Sequence, residues 1–146
     1  MIVVATPDEV KLARSLFAEP PILIAGVGIN TVRALADIPR DTEIINIGYA
    51  GGYGLTKGNM YAVNRCRMFH PNVEYTEPTF ELAPIKDMQH VFCYTGGDFV
   101  LDYKGEPVLF DMELALICAM GFRVQAIKYV SDNLNYQEYE QTITTD

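Results

Sequence analysis

The sequence is poor in the residues that build metal and redox sites. Its three cysteines, Cys66, Cys93 and Cys118, are odd in number and widely spaced, with no Cys-x-x-Cys pair. That pattern excludes a disulfide framework and predicts free thiols in a reducing compartment. Cys93 and Cys118 fall inside apolar runs, where a thiol behaves as a small hydrophobe. The two histidines, His70 and His90, lack metal-ligand spacing, so no metal site is expected. Positive charge is also scarce, with 11 Lys and Arg against 19 Asp and Glu and a formal net charge of -8. Such a balance excludes a general affinity for nucleic acid backbones or anionic membranes. No apolar run approaches a membrane span, and the opening Met1-Ile2-Val3-Val4-Ala5-Thr6 lacks the basic start of a secretion signal. The expectation is a cytoplasmic protein with neither nucleic acid nor membrane as partner.

What is present suits a folded core. Of 146 residues, 49% are hydrophobic, which fits a single domain over 1–146 without repeats or low-complexity segments. Ile2–Ala5 is a short β-branched run, as expected of a strand buried on both faces. Thr6-Pro7-Asp8-Glu9 then opens a helix that runs to the breaker Pro20-Pro21. Ile22–Ala25 reads as a second buried strand ending in Gly26-Val27-Gly28, and a short helix begins at Asn30-Thr31. Thr42–Ile47 reads as a third strand, followed by a turn over Tyr49-Ala50-Gly51-Gly52. Met60–Phe69 and His90–Tyr94 are further strands, with an irregular loop from Pro71 to Pro84. Asp111 caps a helix over Met112–Met120, Arg123–Val130 is the last strand, and a short polar tail follows. Strands alternating with helices predict a three-layer α/β/α domain with a mostly parallel central sheet.

In open α/β sheets, ligands bind beyond the carboxyl ends of the strands. Glu9, Gly26-Val27-Gly28, Tyr49–Gly52, Asp98-Phe99 and Asp132 all fall there. Glu113 is the one acidic or basic residue between Met112 and Gly121. A carboxylate on a helix that is apolar all round needs a partner or a polar ligand, and the first turn would favour its charged form. Each of these has a plainer reading. Thr6-x-x-Glu9 is also a capping box, the glycines also make tight turns, Asp132 also begins a turn, and Glu113 also starts a helix. Gly26-Val27-Gly28 departs from the dinucleotide fingerprint, because Thr31 stands where the third glycine belongs.

Six segments, in order, resemble the methylthioadenosine/S-adenosylhomocysteine nucleosidases of the purine nucleoside phosphorylase and nucleosidase superfamily. Ala5-Thr6-Pro7-Asp8-Glu9-Val10 resembles their first strand-to-helix turn, and Ile45 to Gly52 resembles I-N-x-G-S-A-G-G. Lys57 to Val63 resembles the V-G-D-I-V-V segment, and Thr95 to Val100 resembles S-G-D-x-F-I. Phe110 to Ala115 resembles V-E/D-M-E-x-A, and Lys128 to Asp132 resembles R-A-I-S-D. The resemblance implies hydrolysis of the N-glycosidic bond of a purine nucleoside, without metal or organic cofactor. It implies Glu9 acting on the attacking water and Asp132 facing purine N7 as the catalytic pair. It assigns substrate contacts to Gly48, Tyr49, Ala50, Gly51, Phe99, Val100, Met112, Glu113 and Ser131, with Glu113 on the ribose hydroxyls and Phe99 against the base. A homodimer is the assembly it implies, with the Phe69–Phe80 region near the interface.

The chain departs from the pattern at several places. Tyr49 replaces a small hydroxyl residue, Asp98 is displaced by one position, and Lys128 replaces arginine. The loop after Phe69 is short, and the chain ends soon after Asp132, where the family continues into a helix over the site. These departures leave two alternatives beside the nucleosidase. One is a phosphate-dependent phosphorylase, for which Arg33 is the candidate phosphate ligand; the other is a non-catalytic nucleoside-binding or oligomer-forming homologue.

Overall fold

The computed structural model describes residues 1–69, 78–96, 103 and 105–145. Strand β1 (Ile2–Val4) consists of three β-branched residues buried on both faces. It lies between β2 (Ile22–Ile24) and β3 (Glu43–Tyr53) and is parallel to both, with Ile2 opposite Ile22 on one side and Ile45 on the other. β2 is the edge of the sheet, so Ile24 is 48% exposed and the expectation of a buried second strand does not hold.

The alternation of side chains along β1 divides the core. Ile2 and Val4 face helix α1 (Glu9–Leu16), whose Ala13 is fully buried and whose Val10, Leu12 and Leu16 cover them. Val3 points the other way, into a cluster with Leu35 of α2 (Ile29–Leu35) and Leu114 and Ile117 of α3 (Leu114–Ala119). Helices therefore pack on both faces of this part of the sheet.

The expectation of a mostly parallel sheet is corrected. β3 pairs in parallel with β8 (Arg123–Asp132) from Glu43 opposite Arg123 to Ala50 opposite Val130. A shift between Ala50 and Gly51 then sets Gly51 opposite Asp132, and past it β3 pairs antiparallel with β7 (Val108–Asp111). β7 runs parallel to β6 (His90–Thr95), and β6 runs parallel to β4 (Met60–Met68). β4 returns antiparallel to β8 and takes the short β5 (Phe80–Glu81) antiparallel on its other side. The path β3-β7-β6-β4-β8 thus closes on β3, giving a mixed, closed barrel with β1 and β2 as an extension.

Two local regions differ from the sequence reading or add to it. β3 does not turn at Tyr49–Gly52 but stays extended for 11 residues. Its glycines there are needed for clearance rather than for a turn: a Cβ on Gly52 would stand 3.0 Å from Val130. The short polar tail carries a helix. After Leu134, in the left-handed region at φ 67°, Asn135 caps α4 (Tyr136–Thr145) by accepting the N–H groups of Gln137 and Glu138 at 2.9 and 3.2 Å. Among the described residues no helix is long and apolar enough to cross a membrane.

Ile117 on α3 is fully buried in the larger cluster. Truncation to alanine is expected to cost about 2–5 kcal/mol, read from the midpoint of a denaturant transition at unchanged slope.

Candidate functional site

A cavity of about 290 Å³ opens where β1, β3 and β8 reach their carboxyl ends, beside the start of α3. Glu9, Tyr49, Ala50, Gly51, Met112, Glu113, Ser131 and Asp132 all line it. Gly48 does not reach the cavity and stands behind Glu9. Asp98, Phe99 and Val100 lie outside the described residues. Arg33 is exposed on α2, away from the cavity wall.

Glu9 arrives with the first residue of α1, immediately after β1. Its Oε1 accepts the N–H groups of Ala5 at 2.8 Å and Thr6 at 3.2 Å. The Thr6 bond is the reach-back half of a capping box, so that reading of Thr6-x-x-Glu9 describes a real contact. It does not exhaust the side chain, because Oε2 accepts the N–H of Tyr49 from β3 at 2.7 Å. Three amides, two just past the end of β1 and one within β3, therefore fix this carboxylate at the cavity. Burial pushes its carboxyl above the ordinary 4.5, with Lys128 and the three amides pulling the other way. A Cβ at position 48 would overlap Glu9 Oε2, so the glycine is what lets the carboxylate lie against β3.

Beneath the cavity lies a buried ion cluster. Lys128 on β8 is 0% exposed, and its Nζ sits 3.1 Å from Asp111 Oδ2 and 3.2 Å from Glu113 Oε1. Asp111 ends β7, where it also accepts the Thr95 hydroxyl at 2.6 Å and the Leu114 N–H at 2.8 Å. It thereby holds the first N–H of α3, but the helix begins at Leu114 with Glu113 in the N-cap position, not at Met112 directly after Asp111 as the sequence suggested. Glu113 is the residue before the helix rather than part of its first turn. Burial opposes all three charges. It pushes the Lys128 ammonium down, but the two carboxylates more than reverse this. It pushes Asp111 up, and Lys128 with the surrounding hydrogen bonds leaves that carboxyl below its ordinary 3.8. Glu113 gets less help: burial, Asp111 and Glu9 outweigh Lys128 and push it up to about 8. The helix start that would favour its charged form is thus opposed by burial beside two other carboxylates.

Asp132 closes the other side. Its Oδ1 accepts the Ser131 hydroxyl at 2.7 Å, and its Oδ2 accepts the N–H groups of Leu134 and Asn135 at 3.0 and 3.2 Å. The turn-forming reading is therefore structurally real, and the same carboxylate lines the cavity. Burial pushes its carboxyl above the ordinary 3.8 against those bonds.

Sequence reasoning missed two contributors. Lys128 registered only as an exchange for arginine, although a lysine between Ile127 and Tyr129 in an apolar strand already asks for a buried partner. Tyr139 of α4 lines the cavity, so the tail supplies cover that the sequence seemed to lack. Its signal was the Asn135 cap ahead of a helix-length segment.

Two expectations follow. Gly48→Ala should displace Glu9 from Tyr49 and destabilise the fold by about 1–3 kcal/mol, seen as a lowered melting temperature. Glu113 should make stability fall as pH rises from 4.5 to about 8, because over that window the folded state keeps a proton the unfolded chain has lost. The stability difference between the wild type and Glu113→Gln, followed by thermal melts across this range, should therefore move against the wild type at higher pH.

No protein-family model matches the chain, and no curated protein matches it in sequence. Solved structures do match in fold. A methylthioadenosine nucleosidase from Chlamydia trachomatis bound to methylthioadenosine superposes with a TM-score of 0.79 at 19% identity, covering 98% of this chain and 88% of that one. The 5'-methylthioadenosine nucleosidase of Arabidopsis thaliana gives 0.72 at 16% identity, covering 98% and 87%. The 5'-methylthioadenosine/S-adenosylhomocysteine nucleosidase of Helicobacter pylori gives 0.69 at 14% identity, covering 99% and 90%. At these identities the likeness is one of architecture, and it agrees with the order of the sequence motifs. The chain has the fold of the methylthioadenosine and S-adenosylhomocysteine nucleosidases.

Proposed function

We propose that the protein hydrolyses the N-glycosidic bond of a purine nucleoside of the methylthioadenosine/S-adenosylhomocysteine type. The observation that carries this reading is that Glu9, Glu113 and Asp132, from three separate elements, line one cavity. A volume of about 290 Å³ lies near the lower end of small-molecule sites, a size suited to one nucleoside. In this reading Asp132 gives a proton or hydrogen bond to N7 and makes the base a better leaving group. Its raised pKa supports that use, since a carboxyl held up by burial parts with a proton nearer neutrality. Glu9 takes the proton of the water attacking the anomeric carbon. The amides of Ala5, Thr6 and Tyr49 hold its plane fixed, so little reorganisation is needed as charge moves. Glu113 holds the ribose hydroxyls, and Met112, Tyr49 and Ala50 give apolar contact. Phe99 and Val100 would complete the base side.

Water is favoured over phosphate as nucleophile by charge. The cavity wall carries Glu9, Asp111, Glu113 and Asp132 but no arginine or lysine among the described residues, and an anion there would lack a cradle. Cytoplasmic location and assembly as a homodimer, with the Phe69–Phe80 region near the interface, belong to the same reading.

Incubation with a panel of purine nucleosides, with and without phosphate, should release free base at a rate independent of phosphate. Asp132→Asn and Glu9→Gln should each lower kcat by roughly 10²-fold or more while the proteins stay folded. Base release that requires phosphate, or that survives both substitutions, would exclude this mechanism.

A further inference from the structure

Two of the three free cysteines meet in the core. Cys66 on β4 and Cys118 in the last turn of α3 lie 52 residues apart in the chain, yet their Sγ atoms are 3.7 Å from each other. The third thiol is directed elsewhere. Cys93 of β6 is the register neighbour of Cys66, but its Sγ lies 3.5 Å from Asp111 Oδ1 and 3.6 Å from the Tyr94 carbonyl oxygen. Access separates the pair as well, since Cys66 is at zero exposure and Cys118 is 9% exposed. Neither of them lines the cavity, so the nucleoside reading makes no use of their contact.

We propose that Cys66 and Cys118 form an oxidation site, at which a hydroperoxide converts the two thiols to a disulfide that ties α3 to β4. A disulfide brings its sulfurs to about 2 Å, so a short approach remains to be made. The helix is held at its start, where the Leu114 N–H is donated to Asp111 and the Ala115 N–H to Thr95. Its far end runs out at Gly121, whose φ of 95° lies in the region that favours glycine. The end free to adjust is therefore the one that carries Cys118. The chemistry proceeds in two steps. Cys118, the more accessible thiol, loses its proton to water, and its sulfur attacks the peroxide. The O–O bond breaks, an S–O bond forms, and with hydrogen peroxide the products are a sulfenic acid and water. The Cys66 sulfur then attacks the Cys118 sulfur, the S–S bond forms, and the S–O bond breaks. Hydroxide departs with the Cys66 proton as a second water, so the pair gives up two electrons and two protons to one peroxide. The Cys118 sulfur that it meets, together with burial, pushes the Cys66 thiol up, which suits Cys66 to this resolving role and not to first attack. In a reducing compartment the pair rests as thiols, and burial makes it a responder to sustained oxidant.

The test uses the folded protein, treated with hydrogen peroxide and then unfolded in alkylating agent without reductant. Intact mass should show one alkylated cysteine in place of three. A digest should join the Cys66 peptide to the Cys118 peptide and leave the alkyl group on Cys93, and dithiothreitol should restore all three thiols. The oxidised monomer should melt higher than the reduced one by roughly 5 °C or more, because the bridge restricts the unfolded chain. Cys118→Ala protein under the same treatment should keep both of its thiols and show no such rise. Three alkylatable thiols after prolonged treatment, a bridge that includes Cys93, or a bridge between two chains would each overturn the proposal. So would Cys118 driven to sulfinic or sulfonic acid while Cys66 stays free. None of these readouts depends on whether a nucleoside is cleaved.

Discussion

The placement of one ammonium group governs much of this molecule. An unpaired cation at zero exposure would cost several kcal/mol, so Lys128 is tolerable only with its carboxylates in place. Those carboxylates come from the last residue of β7 and the residue before α3, while the cation itself belongs to β8. The junction of β7 with α3 is thereby pinned against a strand that lies next to β3 and β4 in the barrel. Barrel closure, the start of a helix and the floor of the cavity answer to the same electrostatic demand. Thr95 on β6 extends the network, since its hydroxyl donates to Asp111 while accepting the Ala115 N–H at 2.9 Å.

Around that cluster, the backbone of β3 does what side chains do in many sites. A strand normally spends its amides on its neighbours, yet the N–H of Tyr49 is directed at Glu9. The missing side chain at Gly48 lets the carboxylate approach the strand closely enough to receive it. At Gly51 the same absence leaves room for Asp132 Oδ2, which a Cβ would meet at 3.2 Å. Two carboxylates from opposite ends of the chain are thus seated on one strand by the lack of atoms there.

The sequence made the short strands and the motif order legible because apolar runs and their breakers are local signals. β1, α1, β6 and β8 all fall where those signals put them. Barrel closure was not legible, because it depends on β7 joining β3 antiparallel, a pairing of Gly51 with Phe110 that no local pattern encodes. The glycines of β3 read as a turn because glycine signals both freedom and clearance, and only the approach of Glu9 distinguishes the two. At the candidate site, Glu9, Glu113 and Asp132 stood out as charges in apolar or strand-end settings. Their mutual effects did not, since the proton balance between Asp111 and Glu113 depends on a lysine 15 residues further along the chain than Glu113.

The closed path of the sheet also determines how the molecule presents itself to its neighbours. Open sheets end in strands whose unpaired amides and carbonyls invite another chain to add on. Here the five barrel strands pair on both sides, and the path of the sheet ends at β2 and β5, of three and two residues. An intruding strand would find only one or two ladder rungs at either end, too few to hold its register. Among the described residues, the architecture that gathers the acidic cavity therefore also leaves very little template for edge-to-edge association.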